Sequence, residues 1–251
     1  MTFDAERAVS FANTAELYEL GRPGYPEHLL ASLFAEIGCV SPRILDLGAG
    51  TGKLTRQLVA YGSVVAVEPL AEMRAQLQLV LPDADCRAGS AESIPLPDAS
   101  VDIVMVGQAY HWFDQSVANP EVARVLVDGG HLVMLWSDEV REPWVVELTE
   151  IMSRGEQGRS WGEEDWWKDR FRNEPWFTVP VVRTGSMTVP TTKRGLLARM
   201  ESHSQLSVKP PAERAPILAE VAALIADFPD PFDVEFNTEA YWCRKLPLSE
   251  S

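Results

Sequence analysis

Cysteine is scarce in this chain. Cys39, Cys86 and Cys243 are the only three among 251 residues. They are scattered, odd in number and never spaced Cys-x-x-Cys. That argues against a disulfide framework and a cysteine zinc site, and it predicts reduced thiols in a cytoplasmic protein. The four histidines, His28, His111, His131 and His203, show no metal-ligand spacing, so no metal is expected. Positive charge is also short: 22 Lys and Arg face 37 Asp and Glu, a formal net charge of −15. A polyanion would be repelled, and no basic cluster offsets this locally, so neither nucleic acid nor an anionic membrane is an expected partner. No apolar run approaches the ~20 residues that span a bilayer. The opening Met1 to Arg7 lacks the basic and apolar regions of a secretion signal. No Gly-x-Ser-x-Gly turn is present, which removes the Ser-His-Asp hydrolase reading. What remains is a core-forming chain, 46% hydrophobic and long enough for one large α/β domain or two small ones.

The most informative stretch runs from Ile44 to Gly52 and resumes at Val64 to Glu68. It reads as a buried strand, a glycine-rich turn, a helix over Lys53 to Tyr61, and a second buried strand ending in a carboxylate. This is the front half of a nucleotide-type cofactor site. Glycines let the backbone turn sharply and let a ligand approach it closely. The helix start offers unpaired N–H groups. Glu68 stands where an acidic side chain takes the hydroxyls of a ribose. A dinucleotide turn needs its third glycine at position 53, which is Lys. A P-loop needs glycine and Ser or Thr where Leu47 and Leu54 stand. Neither NAD nor ATP is therefore expected.

The pattern Asp46-Leu47-Gly48-Ala49-Gly50-Thr51-Gly52 resembles the first motif of the class I S-adenosylmethionine-dependent methyltransferases. Gly89 to Asp102 looks like that family's adenine-contacting loop and the entry to its fourth strand. Gln108-Ala109-Tyr110-His111-Trp112-Phe113 looks like its segment after strand four. Arg22-Pro23-Gly24-Tyr25-Pro26 is similar to the lead-in of a subgroup that includes trans-aconitate methyltransferases. The match is specific over Tyr18 to Trp136 and looser beyond.

The resemblance implies a Rossmann-like α/β domain whose seven-stranded, mostly parallel sheet has an antiparallel last strand. The apolar pattern itself predicts helices at Phe11 to Leu20, Pro26 to Ile37, Ala71 to Leu81, Pro120 to Val127 (ended by Gly129-Gly130), Thr192 to Ser202 and Pro211 to Asp227. It predicts strands at Arg43 to Leu47, Val64 to Glu68, Asp85 to Ala88, Val101 to Gly107, His131 to Trp136, Thr178 to Val189 and Phe232 to Lys245. The alternation argues for a parallel sheet covered by helices on both faces. Five of the eight tryptophans fall between Trp144 and Trp176, and Glu139 to Pro175 reads as an inserted lid. The whole chain, 1–251, is expected to be one domain: a core over 40–137 and 177–247, an N-terminal cap over 1–39 and a lid over 138–176.

The resemblance also implies site residues. Asp46 and Gly48 would hold the methionine end of S-adenosylmethionine, with Ala49, Gly50 and Gly52 completing the turn and Glu68 on the ribose. Met73, an unbranched thioether, can lie flat on a purine or simply pack its helix. Ala91 and Glu92 map onto the adenine loop, and Gln108 opens the segment after strand four. Tyr110, His111, Trp112 and Phe113 should face the transferred methyl, because parallel sheets bind ligands at the carboxyl ends of their strands. His111 is a general base, a donor to substrate or a structural residue. Tyr110 is the other catalytic candidate, and Trp112 either faces the acceptor or packs the core.

Tyr18, Arg22 and Tyr25 belong to the cap, where Arg22 suits a carboxylate of cofactor or substrate. His203 stands where resembling proteins often have Arg, which weighs against an anionic acceptor. The expected activity is methyl transfer to O, N or C of a small molecule, leaving S-adenosylhomocysteine. The alternatives are carbon methylation of a quinone-type ring and a non-catalytic, cofactor-binding regulator.

Overall fold

A computed structural model describes residues 15–153, 171 and 174–247. Seven strands form one sheet: β1 (Arg43–Leu47), β2 (Ser63–Glu68), β3 (Asp85–Ala88), β4 (Val101–Gly107), β5 (Leu126–Glu139), β6 (Val181–Thr191) and β7 (Phe232–Arg244). Their order across the sheet is β3-β2-β1-β4-β5-β7-β6. The five on the β3 side pair in parallel. Strand β7 runs antiparallel to both β5 and β6. The order reverses at β1, so the crevice for a ligand opens above the carboxyl ends of β1 and β4.

Side-chain alternation builds a core on each face. Leu45, Leu47, Val104, Val106, Leu132 and Met134 point to one face and meet α5 (Gln115–Val125). Ile44, Ile103, Met105, Val133 and Leu135 point to the other and meet α2 (Glu27–Ile37) through Leu29, Leu30, Leu33 and Phe34. Between these lie α1 (Ala15–Gly21), the short α3 (Thr55–Leu58) and α4 (Ala71–Val80). A third cluster packs α6 (Pro143–Ser153), α7 (Lys193–Glu201) and α9 (Pro211–Leu224) against β6 and β7, with the short α8 (Ser204–Ser207) beside them. Among the described residues no helix is long and apolar enough to cross a membrane.

Three local expectations are corrected. The helix expected over Lys53 to Tyr61 is regular only over Thr55–Leu58, with turns on either side. The helix expected from Pro120 begins at Gln115, because the Asp114 side chain caps it by accepting from the Ser116 N–H at 3.1 Å. Gly129-Gly130 do not end that helix. They lie inside β5, in an irregularity where Val101 pairs with Leu126 but Ile103 pairs with His131.

The stretch expected as a lid is described only in part. Its first stretch is the end of β5 and then α6, whose Val145, Leu148, Ile151 and Met152 are buried. Trp144 packs edge-on against Phe228 and Phe232 at 5.7 and 5.8 Å, which makes it a staple of the third cluster. Trp176 packs against the first core. Trp161, Trp166 and Trp167, with the rest of 154–170 and 172–173, and the start of the helix expected at Phe11 lie outside the described residues.

Candidate functional site

All three glycines of the turn after β1 have positive φ: 74° at Gly48, 57° at Gly50 and 87° at Gly52. Their surroundings differ. A Cβ on Gly48 would lie 2.8 Å from the Ala109 Cβ, and one on Gly52 would lie 2.9 Å from the Leu77 Cγ. Those two glycines let elements of the fold close up. Gly50 meets nothing within 4 Å, so its bare backbone faces open space. Its N–H donates to the Glu68 Oε2 at 2.9 Å, and the Leu70 N–H donates to Oε1 at 2.9 Å. The carboxylate at the end of β2 therefore braces the turn while one edge looks into the crevice. Burial pushes the Glu68 carboxyl up, against the pull of those two N–H groups.

Asp46 is buried directly beneath. Its Oδ2 accepts from the Thr55 hydroxyl at 2.6 Å, while Oδ1 has no hydrogen-bond partner. Burial, reinforced by the charge of Glu68, raises its pKa to about 7 despite the Thr55 bonds.

The crevice is a cavity of about 940 Å³. It brings together most of the residues expected from the sequence. Gly48, Gly50, Glu68, Met73, Ala91 and Glu92 line it on the side of β1 to β3, and Gln108 lines it at the end of β4. Tyr18, Arg22 and Tyr25 line it from the cap, and His111, Trp112 and His203 from the far side. Asp46, Ala49, Gly52 and Tyr110 are not in the lining. Tyr110 is corrected from a catalytic to a packing residue. It is 1% exposed, its hydroxyl donates to the Asn119 Oδ1 at 2.8 Å, and its ring packs among Phe113, Trp136 and Phe171.

Two ties hold the transfer segment in place. Gln108 has φ of 55°, a strained value for a side-chain-bearing residue, and its Nε2 donates to the Ser137 carbonyl at 2.6 Å. Glu92 accepts from the Asp114 N–H at 2.9 Å, joining the loop after β3 to the aromatic turn. His111 stacks obliquely on Trp112 with ring centres 4.9 Å apart.

The cap is clamped to the glycine turn by a residue the sequence did not single out. Glu19 accepts from the Thr51 hydroxyl at 2.8 Å and from Arg56 at 2.7 Å, with Lys53 at 3.2 Å. Burial opposes its ionisation, but the bonds from Arg56 and Thr51 outweigh it and hold the carboxyl below its usual range.

Beyond the glycine turn the lining changes character. Arg199 is 3% exposed, pairs with Glu139 and has its guanidinium 5.0 Å from the Phe236 ring centre. Burial lowers its pKa while Glu139 supports its charge. Glu239 accepts from the Tyr241 hydroxyl. Asp138 and Asn237 face each other in register on β5 and β7. None of these was named from the sequence.

Residues 45–134 match the family described as Methyltransferase domain. An uncharacterized methyltransferase of Mycobacterium tuberculosis is 39% identical over 226 residues, covering 89% of this chain and 88% of its own. One of Schizosaccharomyces pombe is 31% identical over 245 residues, covering 92% and 95%. A solved structure of a candidate type II methyltransferase from Anaeromyxobacter dehalogenans aligns with a TM-score of 0.65 at 27% identity, covering 90% of this chain and 99% of that one.

Proposed function

The chain belongs to the methyltransferase family and is an enzyme of it, and from that premise we propose that it moves a methyl group from S-adenosylmethionine to an O, N or C nucleophile of a small molecule. The observation that carries the cofactor is the Gly50 cradle, open where a side chain would intrude and backed by Glu68. A nucleoside fits this donor set. Glu68 has lone pairs left for ribose hydroxyls, Met73 lies where it can meet a purine face, and Ala91 and Glu92 flank it. The Arg22 guanidinium, which lines the cavity, suits the carboxylate of an amino-acid tail. The bound cofactor supplies an electrophilic methyl on a cationic sulfur.

The chain's own contribution is positioning, which can lower a barrier by ~7–11 kcal/mol. Trp112, Phe113 and Trp136 give the transfer zone aromatic walls, which attract a cation and keep water out. His111 lines the same zone and can donate to or accept from the acceptor. The size and aromatic character of the far half of the cavity support a small organic acceptor. Calorimetric titration with S-adenosylhomocysteine tests the reading. We expect micromolar binding, about −7 to −9 kcal/mol. Absence of heat at any accessible concentration would overturn it.

A further inference from the structure

On the reading above, the cofactor lies over the ends of β1, β2 and β4, and the acceptor enters over the ends of β5 and β7. Five carboxylates line the cavity among the described residues: Glu68, Glu92, Asp138, Glu139 and Glu239. Four are already engaged. Glu68 holds the Gly50 and Leu70 N–H groups, and Glu92 holds the Asp114 N–H. Glu139 pairs with Arg199, and Glu239 takes the Tyr241 hydroxyl. The Asp138 side chain has neither a hydrogen bond nor an ion pair with any described residue. It is adjacent in sequence to Ser137, whose carbonyl anchors the Gln108 side chain, so it stands next to the end of β4. It also lies on the same strand face as Trp136, another cavity residue.

We propose that Asp138 is the catalytic base of the acceptor half, and that the acceptor is accordingly a hydroxyl or ammonium group that must lose a proton. This rests on the S-adenosylmethionine reading. As the bond from acceptor to methyl carbon forms, the carbon–sulfur bond breaks and its electron pair stays on sulfur. The Asp138 carboxylate takes the acceptor's proton, from an ammonium before attack because only then is a lone pair free and from a hydroxyl during it, and passes it to solvent, so charge and atoms balance. The charged groups around Asp138 fit the task. Burial raises its pKa to about 6, Glu139 and Glu239 add to this, and Arg22 opposes it. The carboxylate is thus ionised at neutral pH and poised near it, where a general base works best.

Sinefungin tests this without knowledge of the acceptor. It carries a protonated amine where S-adenosylmethionine has its methyl, and S-adenosylhomocysteine has nothing there. Wild-type protein should bind sinefungin about tenfold more tightly than S-adenosylhomocysteine at about pH 7.5, the preference fading toward about pH 5 as Asp138 takes up a proton. Asp138→Asn should bring the two ligands to parity at both pH values while leaving S-adenosylhomocysteine affinity unchanged. A variant that keeps the wild-type preference overturns the proposal. If Asp138→Asn does not fold, the wild type decides alone, and a preference that is absent or does not change with pH overturns it. Failure of both ligands to bind would instead sink the cofactor reading.

Discussion

Glu68 both braces the glycine turn and lines the cavity, so on the proposed reading its loss should be felt in binding before it is felt in folding. Glu68→Ala removes the charge-assisted bonds to a ribose and should weaken S-adenosylhomocysteine binding by ~1.5–3 kcal/mol in a calorimetric titration. Unchanged affinity would take the ribose role away. Asp46 makes a prediction of opposite kind. Its folded pKa of about 7 lies above the ordinary aspartate value, so the fold holds a proton that the unfolded chain releases. Stability must then fall as pH rises from about 4 to about 7 and level off beyond. Denaturant melts at about pH 5 and about pH 8 should show the wild type losing about 2–3 kcal/mol relative to Asp46→Asn over that window. Equal losses in the two proteins would show that Asp46 is not the titrating group. The glycine turn, Glu68, Met73 and the Ala91-Glu92 loop were legible because each sits within a few residues of a strand end. Glu19, Asp138 and Arg199 were not. The roles of Glu19 and Arg199 come from partners on distant segments, Arg56 and Glu139, that of Asp138 from its place in the cavity lining, and no local pattern marks any of them.

At the scale of elements, α1 is tied to the glycine turn by Glu19 and meets α7 at one close crossing. Gly21 ends α1 so near to α7 that a Cβ there would overlap the backbone nitrogen of Arg199. Backbone cannot yield as a flexible side chain does. Gly21→Ala should therefore cost ~1–3 kcal/mol through overpacking, although alanine is the better helix former. It should also weaken S-adenosylhomocysteine binding, because Tyr18 and Arg22 ride on this crossing. A melting temperature equal to or above wild type would show that α1 can shift freely on α7. The strands were the legible elements: apolar runs bounded by turn residues located β1 and β4 to the residue. Helix ends were less so, for identifiable reasons. Pro120 looked like a first-turn proline, yet the Asp114 cap starts α5 earlier and the helix runs through it. Gly129-Gly130 looked like a stop, yet a bulge of β5 absorbs them. In both cases a local signal was genuine, and pairing with β4 or packing on the sheet decided what it meant.

The whole molecule is a sheet with its switch point at β1 and its ligand cavity above, and that architecture serves many cofactors. What narrows the choice is the turn, since three glycines at positive φ leave one bare backbone position at Gly50 and no phosphate loop. A dinucleotide would need a close approach at position 53, where Lys53 is committed to Glu19. A triphosphate would need free hydroxyl and lysine ligands, whereas Thr51 and Lys53 of the turn are both engaged by Glu19, and it would enter a chain of formal net charge −15. Ligand selectivity should therefore appear in global stability. A ligand that binds only the folded state at 100 times its dissociation constant adds about 2.7 kcal/mol. For a chain of this size each kcal/mol raises the melting temperature by about 2–4 °C. S-adenosylhomocysteine at saturating concentration should accordingly shift the melt by about 5–10 °C, while NAD and ATP at the same concentration leave it unmoved. Glu68→Ala should reduce the first shift and leave the other two at zero. A shift with NAD or ATP as large as that with S-adenosylhomocysteine would mean that the glycine spacing does not discriminate among nucleotides, and the cofactor assignment would fall with it.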